Sequence, residues 1–144
     1  MLTNLKTLQG ELMTAEERAE CAELYKKSGK YNCCQAVTEA FSDSVQVDKE
    51  TLKMLASGFA TGMGCLQATC GALIGASIIA GLRTQGKSTV KVSKRILLRF
   101  KELCGATICK DLKGVETGVV LCECNDCVKN AVLSAEEIFS AMNI

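Results

Sequence analysis

The sequence contains no histidine, no proline and no tryptophan, and only 4% of its residues are aromatic. Without histidine the chain cannot form a Cys–His dyad, a Ser–His–Asp triad or an imidazole metal site. The absence of proline argues against a thioredoxin fold, whose active site is built around a cis-proline. With so few aromatic rings, aliphatic side chains, alanine and cysteine must fill the core.

An excess of charge of one sign is also missing. Seventeen basic and sixteen acidic residues leave a net charge of +1, which indicates neither nucleic acid nor an anionic membrane surface as a partner. Between Lys53 and Arg83 the chain carries no charge at all. The first part of this stretch is rich in glycine and hydroxyl groups, and its continuous apolar part, Ala72 to Leu82, is too short to cross a bilayer. We therefore predict no membrane span.

Cysteine, by contrast, is abundant, with ten cysteines in 144 residues. The N-terminal residues lack the basic segment and apolar run of a signal peptide, so we expect a cytoplasmic protein. In a reducing compartment, many cysteines indicate redox or metal chemistry more often than structural disulfides.

The apolar periodicity is helical throughout and predicts a compact all-α bundle of about five to six helices. We expect an N-terminal arm, residues 1–12, followed by a single helical domain, residues 13–144. Capping residues and glycines predict the following segments: a helix from the capping box at Thr14 to Ser28, one from Cys33 to about Ser42, one after Asp48, one from Cys70 to Gly81, one from Thr89 to Leu103, a turn from Thr107 to Leu112, and a helix after Asn125. A glycine-rich loop, residues 57–64, precedes the fourth helix, which is nearly uncharged and expected to be central and buried.

Four cysteines are predicted to lie in the first turn of a helix or turn, because each follows a capping-type residue by one or two positions: Cys33, Cys70, Cys109 and Cys127. There the free backbone N–H groups and the positive end of the helix dipole favour a thiolate. This placement activates a cysteine without the help of histidine. Cysteine is also tolerated in a first turn as a small side chain, but four such placements in one chain favour chemistry.

The other six cysteines are weaker candidates. Cys21 and Cys104 are interpreted as small core residues, because a buried cysteine is normally inert. The remaining four stay ambiguous, since each is next to a stronger candidate: Cys34, Cys65, Cys122 and Cys124.

The spacing of the cysteines leaves several chemistries open. A zinc ribbon needs two C-x2-C pairs, and only Cys124 and Cys127 supply one. An iron–sulfur cluster needs four thiolates, which the chain has in excess, but no ferredoxin spacing is present. A dithiol/disulfide couple needs only two thiols within bonding reach, so of the three chemistries it requires the fewest cysteines and no fixed spacing.

Five short segments together resemble a bacterial family that is named for its cysteine pattern, the C_GCAxxG_C_C family of redox-active proteins. These segments are Asn32–Val37 (NCCQAV), Gly62–Gly64 (GMG), Cys70–Gly75 (CGALIG), Cys109–Leu112 (CKDL) and Cys127–Ala131 (CVKNA). The resemblance spans about residues 31–139 and implies a small helical protein. It places the four family cysteines on the same four positions that the helix starts indicate.

A similar domain occurs in split-Soret cytochromes, where it accompanies haem attachment and a proposed iron–sulfur site. This chain has no histidine and no haem attachment motif, so the haem part of the resemblance does not transfer. Two further cysteines, Cys122 and Cys124, leave open which thiols pair.

Three hypotheses follow. The first is a thiol-based redox protein in which Cys70 and one or more of Cys33, Cys109 and Cys127 form a reversible disulfide and no cofactor is required. The second is an iron–sulfur or other metal-binding module that uses the same four thiolates as ligands. The third is a structural or partner-binding helical protein whose cysteines only pack.

Glycines complete the predicted site. We expect Gly71 and Gly75 to keep one wall of it thin, and the loop that contains Gly64 to control access. The partner would be a thiol or an electron carrier of unknown identity, with no nucleic acid involved. Whether the protein is an enzyme, and whether it forms a homodimer, stays open at this point.

Overall fold

The computed structural model describes residues 13–144, so the predicted arm at residues 1–12 lies outside the described residues. Seven α-helices follow one another: α1 (Ala15–Lys27), α2 (Cys33–Ala40), α3 (Lys49–Leu55), α4 (Gly71–Thr84), α5 (Thr89–Cys104), α6 (Cys109–Lys113) and α7 (Cys124–Met142). Within this part of the chain, β structure is limited to one antiparallel bridge between Thr69 and Ile108. The predicted all-α fold is confirmed, and the six helices of seven or more residues match the expected number.

Local capping determines where the first helices begin. In α1 the backbone N–H of Glu17 donates to Thr14 Oγ1 at 3.0 Å, and the Glu17 carboxylate accepts from the Thr14 N–H at 2.8 Å. Asn32 and Gln35 form the same reciprocal pair at α2, with the Gln35 N–H 2.9 Å from Asn32 Oδ1. Each pair satisfies two donors that the first turn leaves free. The second pair places Cys33 at the first position of α2.

Helix α4 occupies the centre of the bundle and packs against α2, α5 and α7. Its small residues allow the neighbours to approach closely. A Cβ atom built on Gly75 would lie 2.8 Å from the carbonyl oxygen of Cys34 and 3.1 Å from Val37 Cβ. No side chain fits there without a shift of α2, so close helix packing is the reason for glycine at position 75.

A buried ionic group ties α1 to α7 and to the end of α2. The guanidinium of Arg18 donates to the Asp43 carboxylate, to Glu136 Oε2 at 3.1 Å and to the carbonyl oxygen of Ala40 at 2.6 Å. Arg18 is only 3% exposed, and its guanidinium also lies 4.8 Å from the ring centroid of Phe41. A charge buried this deeply requires such partners. These contacts hold the helices that carry the cysteines in one arrangement.

Several predicted helix ends are displaced in the structure. Helix α4 continues past Gly81 to Thr84, because the left-handed residue that ends it is Gln85. Helix α7 begins at Cys124, before the expected cap at Asn125, and Glu123 is its N-cap. Glycine and asparagine favour helix ends, but either is tolerated inside a helix that tertiary packing supports.

None of the helices in residues 13–144 combines the length and the hydropathy that crossing a membrane requires.

Candidate functional site

Six cysteines from different parts of the chain line one mainly apolar cavity of about 110 Å³. They are Cys33, Cys70, Cys109, Cys122, Cys124 and Cys127. The four cysteines at the predicted helix starts, Cys33, Cys70, Cys109 and Cys127, are all among them. Their roles in chemistry stay predictions. Two lysines, Lys26 and Lys113, line the same cavity and supply its positive charge.

The antiparallel bridge between Thr69 and Ile108 brings Cys70 next to Cys109. The Cys70 N–H donates to the Thr107 carbonyl at 2.8 Å, and the Cys109 N–H donates to the Ala68 carbonyl at 3.0 Å. The capping-type residues that precede Cys70 and Cys109 are Thr69 and Thr107, and the prediction that they cap the helices is wrong. Thr69 pairs with Ile108 in the bridge, and the N-caps of α4 and α6 are Cys70 and Ile108.

Cys70 is itself the N-cap of α4, which is the position where a side-chain acceptor meets free backbone donors. A hydrogen bond from the Cys127 thiol and the backbone N–H groups of Ala72 and Leu73 lower the pKa of Cys70 to about 7, against the opposing effect of burial. This environment favours the thiolate form of Cys70. A thiolate is the reactive form of cysteine, both as a nucleophile and as a metal ligand.

Gly71 makes room for the thiol of Cys33. A Cβ atom at position 71 would lie 2.6 Å from Cys33 Sγ and 2.9 Å from the Phe59 carbonyl oxygen. Burial raises the pKa of Cys33, while backbone N–H groups of Thr61 and Cys34 act in the opposite direction. Cys33 is thus a neutral thiol on the cavity wall. Of the two glycines that were expected to keep this wall thin, Gly71 is the one that lies against a cavity cysteine.

The glycine loop takes an uncommon backbone conformation. Four successive residues, Thr61 to Gly64, have positive φ, and the φ values of Thr61 and Met63 are 55° and 59°. Left-handed geometry costs a residue with a side chain about 1–2 kcal/mol. Thr61 lines the cavity, whereas Gly64 is exposed and a Cβ atom built on it would meet nothing within 4 Å. The glycine of this loop that contacts the site is Gly62, whose Cβ would lie 2.8 Å from Cys109 Cβ.

A group of three sulfur atoms lies beside Cys70. The Sγ atoms of Cys104, Cys122 and Cys127 are all within 4.8 Å of one another and all three residues are buried. The Cys122 thiol donates to Cys104 Sγ at 3.4 Å, and Asn130 Nδ2 donates to Cys104 Sγ at 3.3 Å. Hydrogen bonds from Cys127, Asn130 and Cys122 lower the pKa of Cys104 to about 6. These three cysteines, which we call the sulfur triad, could hold a metal ion.

The interpretation of Cys104 as a packing residue missed this arrangement. Cys104 is buried, but it is the last residue of α5, where that helix meets α7. The negative end of the helix dipole at a C-terminus does not stabilise a thiolate, so Cys104 was not among the cysteines selected by their position at a helix start. The donors come instead from α7 and from the chain before it, and only the packing of α5 against α7 provides them.

Cys127 differs from its predicted environment. Because α7 begins at Cys124, Cys127 is the fourth residue of the helix, and its N–H already donates to the Glu123 carbonyl at 2.8 Å. Hydrogen bonds to Cys104 and Cys70 raise the pKa of Cys127, and burial acts in the same direction. Cys127 is therefore the protonated thiol of this group, and its single S–H is shared between these sulfurs and the Cys122 carbonyl oxygen, which lies 3.6 Å from Cys127 Sγ. Burial raises the pKa of Cys122 to about 12.

The remaining cysteines have different surroundings. Burial raises the pKa of Cys109, which Lys113 partly offsets. Cys34 is fully buried on α2, Cys21 is half-buried on α1, and Cys65 is exposed. All ten cysteines are free thiols in this structure.

Comparison with known proteins agrees with this cysteine arrangement. The model of a family described as "Putative redox-active protein (C_GCAxxG_C_C)" matches residues 31–138, which include all six cavity cysteines. The chain therefore belongs to this redox-active family. No curated protein and no solved structure matches the chain.

Proposed function

We propose that this protein is a thiol-based redox protein in which Cys70 and Cys127 form a reversible disulfide. The observation that carries the proposal is that Cys70 and Cys127 line the same cavity, with Cys70 at the N-cap of α4 and the Cys127 thiol near enough to lower the pKa of Cys70. The N-cap position favours a thiolate on Cys70, and the adjacent Cys127 retains a proton. One nucleophile and one thiol in contact are the minimum that a dithiol couple requires.

The exchange proceeds in two steps. The Cys70 thiolate attacks one sulfur of an acceptor disulfide, which forms a mixed disulfide and releases the first acceptor thiolate. Cys127 then loses its proton and attacks Cys70 Sγ, and the second acceptor thiolate leaves. The two protein sulfurs lose two electrons, and the acceptor leaves as one thiol, which takes the Cys127 proton, and one thiolate, which water protonates. Cys104 has a thiolate-favouring environment too, but it does not line the cavity, so Cys70 meets the acceptor first.

The test uses the reduced full chain and a small disulfide, bis(2-hydroxyethyl) disulfide, as the acceptor. The first protein disulfide to form, mapped by mass spectrometry after acid quenching, should link Cys70 to Cys127. Cys70→Ser should slow oxidation at least tenfold. Cys65→Ser, which removes an exposed thiol outside the cavity, should leave the rate unchanged. Equal rates for wild type and Cys70→Ser would refute the proposal.

A metal-binding function is the second candidate, and the sulfur triad is the observation that favours it. Sulfur atoms bound to one tetrahedral zinc ion, with Zn–S bonds of about 2.3 Å, lie about 3.8 Å apart, which the spacing of the triad allows. The donor Asn130 beside Cys104 provides the kind of N–H contact that supports a metal-bound thiolate. This ligand set differs from the four thiolates that the sequence suggested. An iron–sulfur cluster needs four cysteines, and the cavity offers six.

Metal analysis and an ultraviolet–visible spectrum of protein purified without oxygen separate the two candidates. A metalloprotein would contain metal in stoichiometric amount, and Cys104→Ser and Cys122→Ser would lose it. Cys33→Ser, which changes a cavity cysteine outside the triad, is the matched control. Protein without metal and without absorbance beyond the ultraviolet range would exclude this second function.

A further inference from the structure

Cys127 lies between two groups of sulfur atoms. On one side it lines the inner cavity together with Cys70, the N-cap of α4. On the other side its Sγ atom is within 4.8 Å of those of Cys104 and Cys122. One cysteine therefore connects the proposed disulfide pair to two further thiols.

Cys104 and Cys122 have the properties of a second dithiol. Their sulfur atoms are 3.4 Å apart, and the Cys122 thiol points its proton at Cys104. The side-chain amide of Asn130 donates to Cys104 Sγ at 3.3 Å and reaches Cys122 Sγ at 3.9 Å. Two donors directed at Cys104 favour negative charge on that sulfur. Packing alone would not require an amide hydrogen-bond donor there.

Cys122 also has access to a second surface. It lines the inner cavity together with Cys70, and it lines a separate, more open groove of about 470 Å³. The groove is lined by residues that do not line the inner cavity, among them Leu103, Leu121 and Asn130. A disulfide that includes Cys122 can be reached from a different face of the protein than one that includes Cys70.

We propose that Cys127 passes the disulfide from Cys70 to the Cys104–Cys122 pair, so that oxidation enters at the inner cavity and leaves at the open groove. The proposal rests on the proposed redox function and adds a route and an exit to it. The partner at the groove is a thiol of another molecule. Its thiolate attacks Cys122 Sγ and Cys104 leaves as a thiolate, and a second thiol of the partner then displaces Cys122, so that the disulfide ends on the partner.

The transfer needs no outside oxidant. Cys104, as a thiolate, attacks Cys127 Sγ in the Cys70–Cys127 disulfide, so that a Cys104–Cys127 bond forms and Cys70 leaves as a thiolate. Cys122 then attacks Cys104 Sγ, which forms the Cys104–Cys122 bond and releases Cys127. The proton of Cys122 passes to Cys127. One disulfide has moved, two thiols have been restored, and the number of electrons is unchanged.

The experiment follows the disulfides of the reduced wild-type chain over time after one equivalent of bis(2-hydroxyethyl) disulfide. Cleavage after Glu123 and before Asp126 separates Cys122, Cys124 and Cys127 into different peptides, and fragmentation distinguishes Cys104 from Cys109. The Cys70–Cys127 disulfide should appear first and decline as Cys104–Cys122 rises with the same rate constant.

Variants test the route. In Cys122→Ser, the Cys70–Cys127 disulfide should still form, but its reduction by glutathione should be at least tenfold slower than that of the disulfide formed in the wild-type chain. In Cys127→Ser, the Cys104–Cys122 disulfide should form at least tenfold more slowly, and Cys65→Ser is the control for both. Far-ultraviolet circular dichroism checks that each variant is folded. The time course of the wild-type chain tests the relay even if a variant does not fold.

Two results would overturn the relay while the proposed function stands. One is a wild-type Cys70–Cys127 disulfide that persists without any Cys104–Cys122 product. The other is a Cys104–Cys122 disulfide that forms at an unchanged rate in Cys127→Ser. A different result, the absence of any disulfide that contains Cys70, would refute the proposed function itself.

Discussion

Gly75 of α4 and the carbonyl oxygen of Cys34 in α2 are so close that a Cβ atom at position 75 would lie 2.8 Å from that oxygen. The two helices cross at this point, and α2 carries Cys33 while α4 begins next to Cys70. The distance between the helices therefore also determines how far apart these two cavity cysteines lie.

Gly75→Ala should destabilise the protein by about 1–3 kcal/mol, because the added methyl group overpacks the contact with α2. Gly81→Ala in the same helix is the matched control, since its Cβ would meet only Thr89 Cγ2 at 3.8 Å. That substitution should stabilise the protein by up to about 1 kcal/mol, because alanine is the better helix former. Urea unfolding measures both. Equal effects of the two substitutions would contradict the packing explanation.

The alkylation rate of Cys70 should depend on pH with a midpoint near 7, its pKa in the folded protein. The hydrogen bond from Cys127 is the main cause of this low pKa, so Cys127→Ala should move the midpoint upward towards the usual value of about 9. Cys127→Ser retains a donor and should keep the midpoint low. Mass spectrometry after a short pulse of iodoacetamide gives the rate at each cysteine. Cys21, whose pKa burial raises, serves as the internal reference. A midpoint that is the same in both variants would show that Cys127 is not the donor.

Stability should rise with pH between about pH 6 and 8. The pKa values of Cys70 and Cys104 are lowered to about 7 and about 6 from 9.0, so across this range the unfolded chain binds more protons than the folded one. Their stabilisation is complete above pH 9 and is lost as the pH falls through 7 and then 6. The cysteines whose pKa burial raises, such as Cys122, Cys33 and Cys109, act oppositely once the unfolded thiols begin to ionise above about pH 8. Urea unfolding in the presence of a reductant measures the trend. The double variant Cys70→Ala, Cys104→Ala should lose most of this slope, and a slope that persists would contradict the assignment.

Met63→Gly should stabilise the protein by about 0.5–1 kcal/mol. Met63 is exposed with φ of 59°, and glycine removes the cost of a left-handed side chain while it adds a smaller entropic cost. Met54, also exposed but inside α3, is the control, and Met54→Gly should destabilise by about 1 kcal/mol. Thermal unfolding distinguishes the two. If Met63→Gly also destabilised the protein, the conformation of the loop would not be strained.

The sequence by itself determined the helical class and the beginnings of the first three helices. Those starts depend on hydrogen bonds between residues three positions apart, such as Asn32 with Gln35 and Asp48 with Thr51. Such contacts form within one turn and do not depend on the rest of the fold, so a local pattern predicts them. The cysteines at the predicted helix starts could be selected for the same reason.

Only the tertiary structure decided which sulfur atoms meet. Cys104 contacts Cys122 eighteen residues away, and the bridge between Thr69 and Ile108 brings Cys70 to Cys109. These pairs depend on how α5 packs against α7 and on where the chain crosses itself, and no local pattern encodes such contacts. Cys104 shows this most clearly: its helix position argues against a thiolate, and the donors that favour one arrive from Asn130 and Cys127 only when α7 is in place.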